Sequence, residues 1–133
     1  MEIGGMASMV IFSFGFKYGE PVGVNLLLDV RLLPNPYWVE NLRPHTGKEQ
    51  AVAAYVLESE SGMDFLRRIV PLLSMYAEAY PSAKILRVAI GCTGGRHRSV
   101  AIAEKLAAIL REQSIDVQLF HRDIDKDSLS ETA

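Results

Sequence analysis

The stretch Ile85-Leu-Arg-Val-Ala-Ile-Gly-Cys-Thr-Gly-Gly-Arg-His-Arg-Ser99 joins a short apolar run to a loop rich in glycine and arginine. A nearly continuous apolar run of this length is typical of a strand buried on both faces. After the loop, Ser99 is the predicted N-cap of a helix that carries Ile102, Leu106 and Leu110 on one face. The stretch therefore predicts a strand, a tight loop and a helix, which is the repeating unit of an α/β fold.

Working outward from this stretch, three more apolar runs predict further strands. Residues 9–14 and 24–30 are bounded by glycine and proline, and residues 117–120 form a shorter, partly alternating run. Strands that alternate with helices imply right-handed crossovers and a mainly parallel sheet. We therefore predict a single small α/β domain over residues 1–133, with about four strands flanked by helices and flexible ends at 1–8 and 124–133.

Two helices are predicted between the second and third strands. The first follows Thr46-Gly-Lys-Glu49, which has capping-box spacing, and the second starts at Ser61-Gly-Met-Asp64. Pro71 should kink or split the second helix, which should end before Pro81. Residues 31–45 contain three prolines and exceed the usual length of a loop, so we expect a functional or interface role for them.

Composition excludes several classes of protein. The chain has 133 residues, 49% of them hydrophobic and 23% charged, and its net charge of −2 argues against general coating of nucleic acid or anionic membranes. A lone cysteine cannot form an intrachain disulfide, which favours a reducing, cytoplasmic compartment. No window approaches the roughly 20 apolar residues of a membrane span, and the N-terminal stretch makes a poor signal peptide.

The glycine-rich loop, defined here as residues 91–99, predicts an anion site. It leads from a buried strand into a helix N-terminus, where backbone N–H groups converge. Gly91, Gly94 and Gly95 let the main chain approach a ligand, and Arg96 and Arg98 add donors suited to phosphate oxygens. The spacing matches neither the P-loop nor the dinucleotide-binding pattern. The alternative is a glycine-rich turn whose arginines simply face water.

Other polar residues should gather near this loop. Open parallel sheets bind ligands at the carboxyl ends of their strands. Asp29 and Arg31 follow the second predicted strand, and His121 and Arg122 follow the fourth. We therefore expect these side chains at the same edge of the sheet as Cys92.

Cys92 and Arg98 stand in the C-x5-R-S spacing of cysteine-dependent phosphatases, in which a thiolate attacks phosphorus and the arginine binds the equatorial oxygens. A cysteine at a helix N-terminus beside arginines can be a competent nucleophile. The general acid would have to be Asp29 or Asp123, and nothing in the sequence positions either. A small buried cysteine that ends a strand is an equally good interpretation.

Histidine spacing argues against a metal site. His45, His97 and His121 are not spaced as ligands, and one cysteine makes zinc improbable, so we predict no metal and no cofactor. His97 lies between two arginines, where an imidazolium is disfavoured unless an anion compensates. We interpret it as a ligand donor, with an ordinary surface histidine as the alternative.

Five ordered motifs resemble the C-terminal domain of the RNase adapter protein RapZ (YvcJ) family, over about residues 10–123. They are Phe12-Ser-Phe-Gly-Phe-Lys-Tyr-Gly19, Asp29-Val-Arg-Leu-Leu-Pro-Asn-Pro36, Leu42-Arg-Pro-His-Thr-Gly47, Val88-Ala-Ile-Gly-Cys-Thr-Gly-Gly-Arg-His-Arg-Ser-Val100 and His121-Arg-Asp123. The resemblance implies a domain that senses glucosamine-6-phosphate, binds small RNA and self-associates. The family's N-terminal P-loop ATPase domain is absent from this sequence, so a separate ATPase partner is a further hypothesis.

The resemblance also implies which residues bind the ligand. The family's ligand contacts fall on Cys92, Thr93, Gly94, His97 and Arg98, with Arg31 beside them. Together with the loop residues Gly95, Arg96 and Ser99 they form the predicted ligand-binding set, with Asp29, Tyr37, His121 and Arg122 as additional candidates. Tyr37 stands where the family commonly has a ligand-contacting histidine. RNA-binding members end in a basic run, whereas this tail carries Asp123, Asp125, Asp127 and Glu131 around Lys126, which predicts weak RNA binding.

Three hypotheses follow. The leading one is a non-catalytic regulatory domain that binds a phosphorylated metabolite, such as a sugar phosphate, and acts as a homo-oligomer or through a partner. The second is a cysteine-dependent phosphatase that uses Cys92 and Arg98. The third is an RNA-binding module with Arg96, Arg98 and Arg122 as its phosphate contacts.

Overall fold

A four-stranded parallel sheet lies at the centre of the computed structural model, which describes residues 5–126. The strands, in chain order, are β1 (Ser8–Gly15), β2 (Leu26–Asp29), β3 (Ile85–Cys92) and β4 (Val117–His121). They are ordered β2-β3-β1-β4, and each neighbouring pair is parallel. The prediction of an α/β domain with a mainly parallel sheet of about four strands is confirmed.

Within residues 5–126, three α-helices and two single turns of 3-10 helix connect the strands. The α-helices are α1 (Gln50–Leu57), α2 (Glu60–Ala79) and α3 (Arg98–Glu112), and the turns are Phe16–Tyr18 and Pro36–Trp38. In the capping box before α1, the Thr46 amide donates to a Glu49 carboxylate oxygen, at 2.9 Å. The Thr46 hydroxyl accepts from the Lys48 amide at 3.2 Å, but the N-cap of α1 is Glu49 and makes no side-chain cap hydrogen bond, so the helix starts three residues later than the capping-box spacing predicts.

Three further details of the predicted helices differ in the structure. The N-cap of α2 is Ser59, whose hydroxyl accepts from the Gly62 amide, so the helix starts before Ser61. Of the two effects predicted for Pro71, splitting does not occur, because α2 runs unbroken for 20 residues. Ser99 is not the N-cap of α3: the helix starts at Arg98 with His97 in the cap position, and Ser99 is buried inside the first turn.

One face of the sheet carries the main core. Met9, Ile11 and Val88 on this face pack against helix residues such as Ile102 and Leu106, and all five side chains are at most 1% exposed. Burying such a side chain contributes about 1.5–3 kcal/mol, so this layer supplies the dominant stabilisation. Since α3 packs on β1, β3 and β4, it fixes the layer directly beneath the end of the glycine-rich loop.

The opposite face holds a smaller cluster centred on Phe12, Phe14 and Ala89, and none of its residues comes from α1, α2 or α3. Strand order explains the asymmetry. The β2-to-β3 and β3-to-β4 crossovers run in the same direction along the sheet, so right-handed connections place their helices on the same side. The β1-to-β2 connection runs the other way and carries no α-helix, and its Phe16 and Val24 pack on this second face.

The strands end at a shared edge, which positions the site. Asp29 pairs with Gly91, Gly15 with Cys92, and Ser13 with His121.

The predicted flexible ends fall partly outside the described residues, which exclude 1–4 and 127–133, whereas Ala7 is buried. None of the helices within residues 5–126 is both long and apolar enough to cross a bilayer.

Candidate functional site

The glycine-rich loop lies directly against the end of β1, backbone to backbone. A Cβ atom built on Gly15 would meet the Gly94 carbonyl carbon at 2.5 Å, and one on Gly95 would meet the Gly15 nitrogen at 2.5 Å. Gly95 also has φ +74°, a conformation that L-residues rarely adopt. The glycines at 15 and 95 are therefore required by close approach, and Gly95 also by its backbone conformation.

Gly47 supports the loop from the other side and was not predicted as a site residue. Its amide donates to the Arg96 carbonyl at 3.0 Å, and a Cβ there would meet the His97 carbonyl oxygen at 2.3 Å. The sequence contained a signal, because Gly47 lies inside the quoted capping box and also in a family motif. Its contact with a residue about 50 positions away could come only from the structure.

Five consecutive backbone amides of the loop, those of residues 93–97, donate to no acceptor within residues 5–126. Gly94, Gly95 and His97 are nevertheless buried. Buried N–H groups in folded proteins are nearly always paired, because an unpaired one costs free energy comparable to a lost hydrogen bond. A row of unpaired amides at the N-terminus of α3 is therefore suited to an anion.

Arg98 is 4% exposed and extends away from solvent. Its Nη1 donates to the Arg31 carbonyl at 2.9 Å and to the Leu33 carbonyl at 3.4 Å, while its buried Nε has no partner. Burial lowers the pKa of Arg98, although a guanidinium stays charged in proteins. The side chain thus holds the Arg31 and Leu33 carbonyls and retains a buried Nε donor without a partner within residues 5–126.

Arg96 bridges two segments that flank the loop. Its Nη2 donates to the Pro44 carbonyl at 2.7 Å and its Nη1 to the Ile124 carbonyl at 3.0 Å. Its Nε is buried without a partner among the described residues. Both terminal nitrogens of Arg96 therefore hold neighbouring segments, and the buried Nε has no partner within residues 5–126.

His97 is 1% exposed, and its Nε2 donates to the Arg43 carbonyl at 3.0 Å. Burial lowers the pKa of His97 below its ordinary value of 6.5, and the charges of Arg96 and Arg98 act in the same direction. The neutral ring with hydrogen on Nε2 leaves Nδ1 as a hydrogen-bond acceptor, and that atom is buried without a partner. The alternative of an ordinary surface histidine was wrong, because the side chain is buried, and a role of His97 in ligand binding stays a prediction.

This histidine is expected to make the fold sensitive to acid. Because its pKa is lower in the folded than in the unfolded protein, the unfolded state binds more protons as the pH falls through 6.5. We expect full stability above pH 6.5 and a decrease in the free energy of unfolding as the pH falls towards 5. Each unit of pKa depression corresponds to about 1.4 kcal/mol.

Urea titrations at pH 7.5, 6.5 and 5.5 measure this effect. His97→Asn should reduce the slope between pH 7.5 and 5.5 relative to the parent chain. An equally steep slope in His97→Asn would assign the pH dependence to other groups.

Cys92 is fully buried at the end of β3. Its thiol donates to the Ser99 hydroxyl at 3.1 Å, and the Ser99 amide approaches the sulfur at 3.4 Å. The two residues therefore bond to each other across the base of the loop. This contact supports the interpretation of Cys92 as a small buried residue that ends a strand.

Asp29 and Arg31 form an exposed pair at the end of β2. The Arg31 guanidinium donates to both carboxylate oxygens, at 3.0 and 2.7 Å, and lies 3.8 Å from the Phe16 ring centroid. The hydrogen bonds from Arg31 hold the pKa of Asp29 below its usual range. Tyr37 lies further along the same segment, packed edge-on against Trp38. Asp29 and Arg31 are therefore presented at the same sheet edge as the glycine-rich loop.

The last strand contributes two different groups. His121 bonds through Nδ1 to the Ser13 hydroxyl and through Nε2 to Glu104, each at 2.7 Å, so it connects β4 to β1 and α3. Arg122 donates to Asp123 and to the Gly19 carbonyl. Both residues lie near the predicted edge, with their polar groups engaged by the protein. Within residues 5–126, no cluster of three or more His, Cys, Asp or Glu is arranged to hold a metal ion.

The fold and the loop define the class of this protein: a small parallel α/β domain in which a buried glycine-rich loop joins a strand to a helix. The chain belongs to the RapZ C-terminal domain family, whose model matches residues 7–125. The recognition based on five motifs is thereby confirmed.

Similar proteins include a "nucleotide-binding protein" of Mycobacterium ulcerans, 48% identical over 125 residues, and one of Streptomyces coelicolor, 46% identical over 119 residues. A protein of Mycobacterium tuberculosis with the same description is 46% identical over 127 residues. These matches cover 92%, 88% and 93% of this chain but 41%, 40% and 42% of the relatives. The chain thus spans about two fifths of their length.

Proposed function

We propose that this domain is a non-catalytic regulatory module that binds a phosphorylated metabolite at the glycine-rich loop. The observation that carries the proposal is the row of unpaired amides at residues 93–97, beside the unpartnered Nε atoms of Arg96 and Arg98. All of these groups are donors. Leaving a buried donor unpaired costs about 1–3 kcal/mol, so a ligand rich in acceptor oxygens relieves several such costs at once.

One acceptor favours a ligand that also carries hydrogen-bond donors. The unpartnered Nδ1 of neutral His97 needs a donor, which a sugar hydroxyl or ammonium provides. The exposed carboxylate of Asp29, at the same edge, is a second group suited to hydroxyl or ammonium recognition. These contacts support the class of ligand implied by the family resemblance, such as glucosamine-6-phosphate.

The same geometry gives less support to the two other hypotheses. A thiol attacking phosphorus needs access, whereas Cys92 is fully buried and bonded to Ser99. Asp123, one of the two candidate general acids, is buried among hydrogen bonds from Gly15, Arg122 and Lys126.

The RNA hypothesis relied on three arginines that are engaged within the fold: Arg96 and Arg98 donate to backbone carbonyls and Arg122 to Asp123. Self-association and a separate ATPase partner stay predictions.

A thermal-shift panel tests the proposal. Glucosamine-6-phosphate and glucose-6-phosphate should raise the Tm, inorganic phosphate should raise it less, and glucosamine should leave it unchanged. A ligand that binds only the folded state adds about 2.7 kcal/mol of stability at 100 times its Kd. The absence of a shift with every phosphorylated compound at millimolar concentration would overturn the proposal.

A paired substitution locates the effect. Arg31→Gln removes a charged side chain at the site edge and should reduce the ligand-induced shift, because charge-assisted hydrogen bonds are the stronger ones. The control is Arg68→Gln on α2, where the side chain is 74% exposed and pairs only with Asp64 among the described residues. The control should bind as the parent chain does.

A further inference from the structure

Asp123 is a buried carboxylate outside the glycine-rich loop. Its side chain is 0% exposed, yet it is surrounded by donors: the Gly15 amide at 2.7 Å, the Arg122 guanidinium at 2.8 Å and the Lys126 ammonium at 2.7 Å. Burial raises the pKa of Asp123, but these hydrogen bonds together outweigh burial and hold the pKa below its usual range. The carboxylate therefore stays charged and fully bonded.

The bond to Gly15 matters because of what Gly15 contacts. Its nitrogen, which donates to Asp123, is also the atom that a Cβ on Gly95 would approach to 2.5 Å. Gly15 in turn lies so close to Gly94 that a Cβ would collide with the Gly94 carbonyl carbon. Asp123 therefore fixes the backbone against which the unpaired amides of the loop are held.

A second contact joins the same short segment to the loop. The Ile124 carbonyl accepts from Arg96, whose other terminal nitrogen donates to Pro44. Residues 123 and 124 thus contact the site at two points, one through the end of β1 and one through a loop side chain. The Asp123 and Gly15 partners are 108 residues apart in the chain, so this arrangement exists only in the folded protein.

We propose that Asp123 is a positioning residue for the anion loop: by holding the Gly15 amide, it sets the geometry of the Gly94 and Gly95 amides that receive the ligand. The inference rests on the proposed function. Asp123 contacts no ligand group itself, because all of its bonds run to Gly15, Arg122 and Lys126.

The effect of Asp123→Asn on anion affinity separates positioning from simple electrostatics. Removing a negative charge near an anion site should tighten binding if charge alone mattered, since Arg122 and Lys126 would be left uncompensated. Positioning predicts weaker anion binding instead. An asparagine amide holds Arg122, Lys126 and the Gly15 N–H less well than a carboxylate does, so the loop loses its preformed geometry. We expect at least a tenfold increase in the Kd for inorganic phosphate and for glucosamine-6-phosphate.

The experiment uses calorimetry at a temperature where each variant is folded, with Asp64→Asn as the control. Asp64 is an exposed carboxylate on α2 that bonds Arg67 and Arg68, so its variant should bind as the parent does. Asp123→Glu, which keeps the charge, should recover part of the affinity. Unchanged or tighter binding by Asp123→Asn would overturn the inference.

A readout without ligand separates failure of the inference from failure of the proposed function. In Asp123→Asn, hydrogen exchange of the Lys17 and Gly47 amides, which donate to the Thr93 and Arg96 carbonyls of the loop, should accelerate at least tenfold, while amides in the middle of α2 remain protected as in the parent. Unchanged exchange at the loop refutes positioning whether or not a ligand binds. If the parent chain binds no phosphorylated compound but the exchange result holds, the proposed function fails and the structural role of Asp123 stands.

Discussion

Gly95→Ala is expected to destabilise the fold by about 3 kcal/mol or more, which places it among the most damaging single substitutions. Two costs add. The left-handed conformation at φ +74° costs an L-residue about 1–2 kcal/mol, and the new Cβ would lie 2.5 Å from the Gly15 nitrogen and 2.8 Å from the Phe14 carbonyl carbon. Both neighbours are backbone atoms of β1, so no side-chain rotation relieves the collision.

Gly23→Ala is the matched control. Gly23 has φ +70°, close to that of Gly95, but a Cβ there would meet nothing within 4 Å. It should therefore show only the conformational cost, about 1–2 kcal/mol. Urea unfolding of both variants measures the difference. Equal losses of stability in the two variants would mean that the close approach of the loop to β1 contributes nothing to the effect of Gly95→Ala.

Arg98→Met is expected to give the largest loss of ligand binding, about 100-fold or more in Kd, or about 2.7 kcal/mol. It removes the unpartnered Nε donor and also the bonds that hold the Arg31 and Leu33 carbonyls above the helix N-terminus. Losing hydrogen bonds from a charged group should also lower fold stability by about 1.5–3 kcal/mol. Calorimetric titration with phosphate and glucosamine-6-phosphate measures the first effect, and urea unfolding the second.

Two variants keep this result interpretable. Arg68→Met, on an exposed face of α2, should change neither the Kd nor the free energy of unfolding. Arg98→Lys keeps the charge but loses the planar fork that serves several acceptors, so its affinity should lie between those of Arg98→Met and the parent. Parent-like affinity in a folded Arg98→Met would remove Arg98 from the binding site.

A pH series connects these results to the state of His97. The proposed ligand donates a hydrogen bond to Nδ1 of neutral His97, and protonation of that nitrogen removes the acceptor. The affinity for glucosamine-6-phosphate should therefore decrease as the pH falls through the range in which His97 becomes protonated. The acid sensitivity of the fold and the ligand affinity are consequently linked through one buried ring.

The sequence by itself determined the elements and the identity of the loop. Apolar runs and helical periodicity are local patterns, and they placed all four strands within one or two residues of their observed bounds. Glycines and arginines concentrated between a strand and a helix also predict a loop without knowledge of the rest of the chain. The prediction that Ser99 is the N-cap of α3 was wrong. Its hydroxyl bonds instead to Cys92, a partner that the local pattern of a helix start does not include.

Only the tertiary structure decided which hydrogen-bond partner each charged side chain has. Arg96 reaches Pro44 and Ile124, which are 52 and 28 residues away, and Arg98 bonds carbonyls more than 60 residues away. Which donors are used by the fold and which remain for a ligand depends on the packing of distant segments, and local periodicity contains no information about it. The same holds for Asp123, whose bond to Gly15 exists because parallel pairing brings the ends of β1 and β4 to the same edge of the sheet.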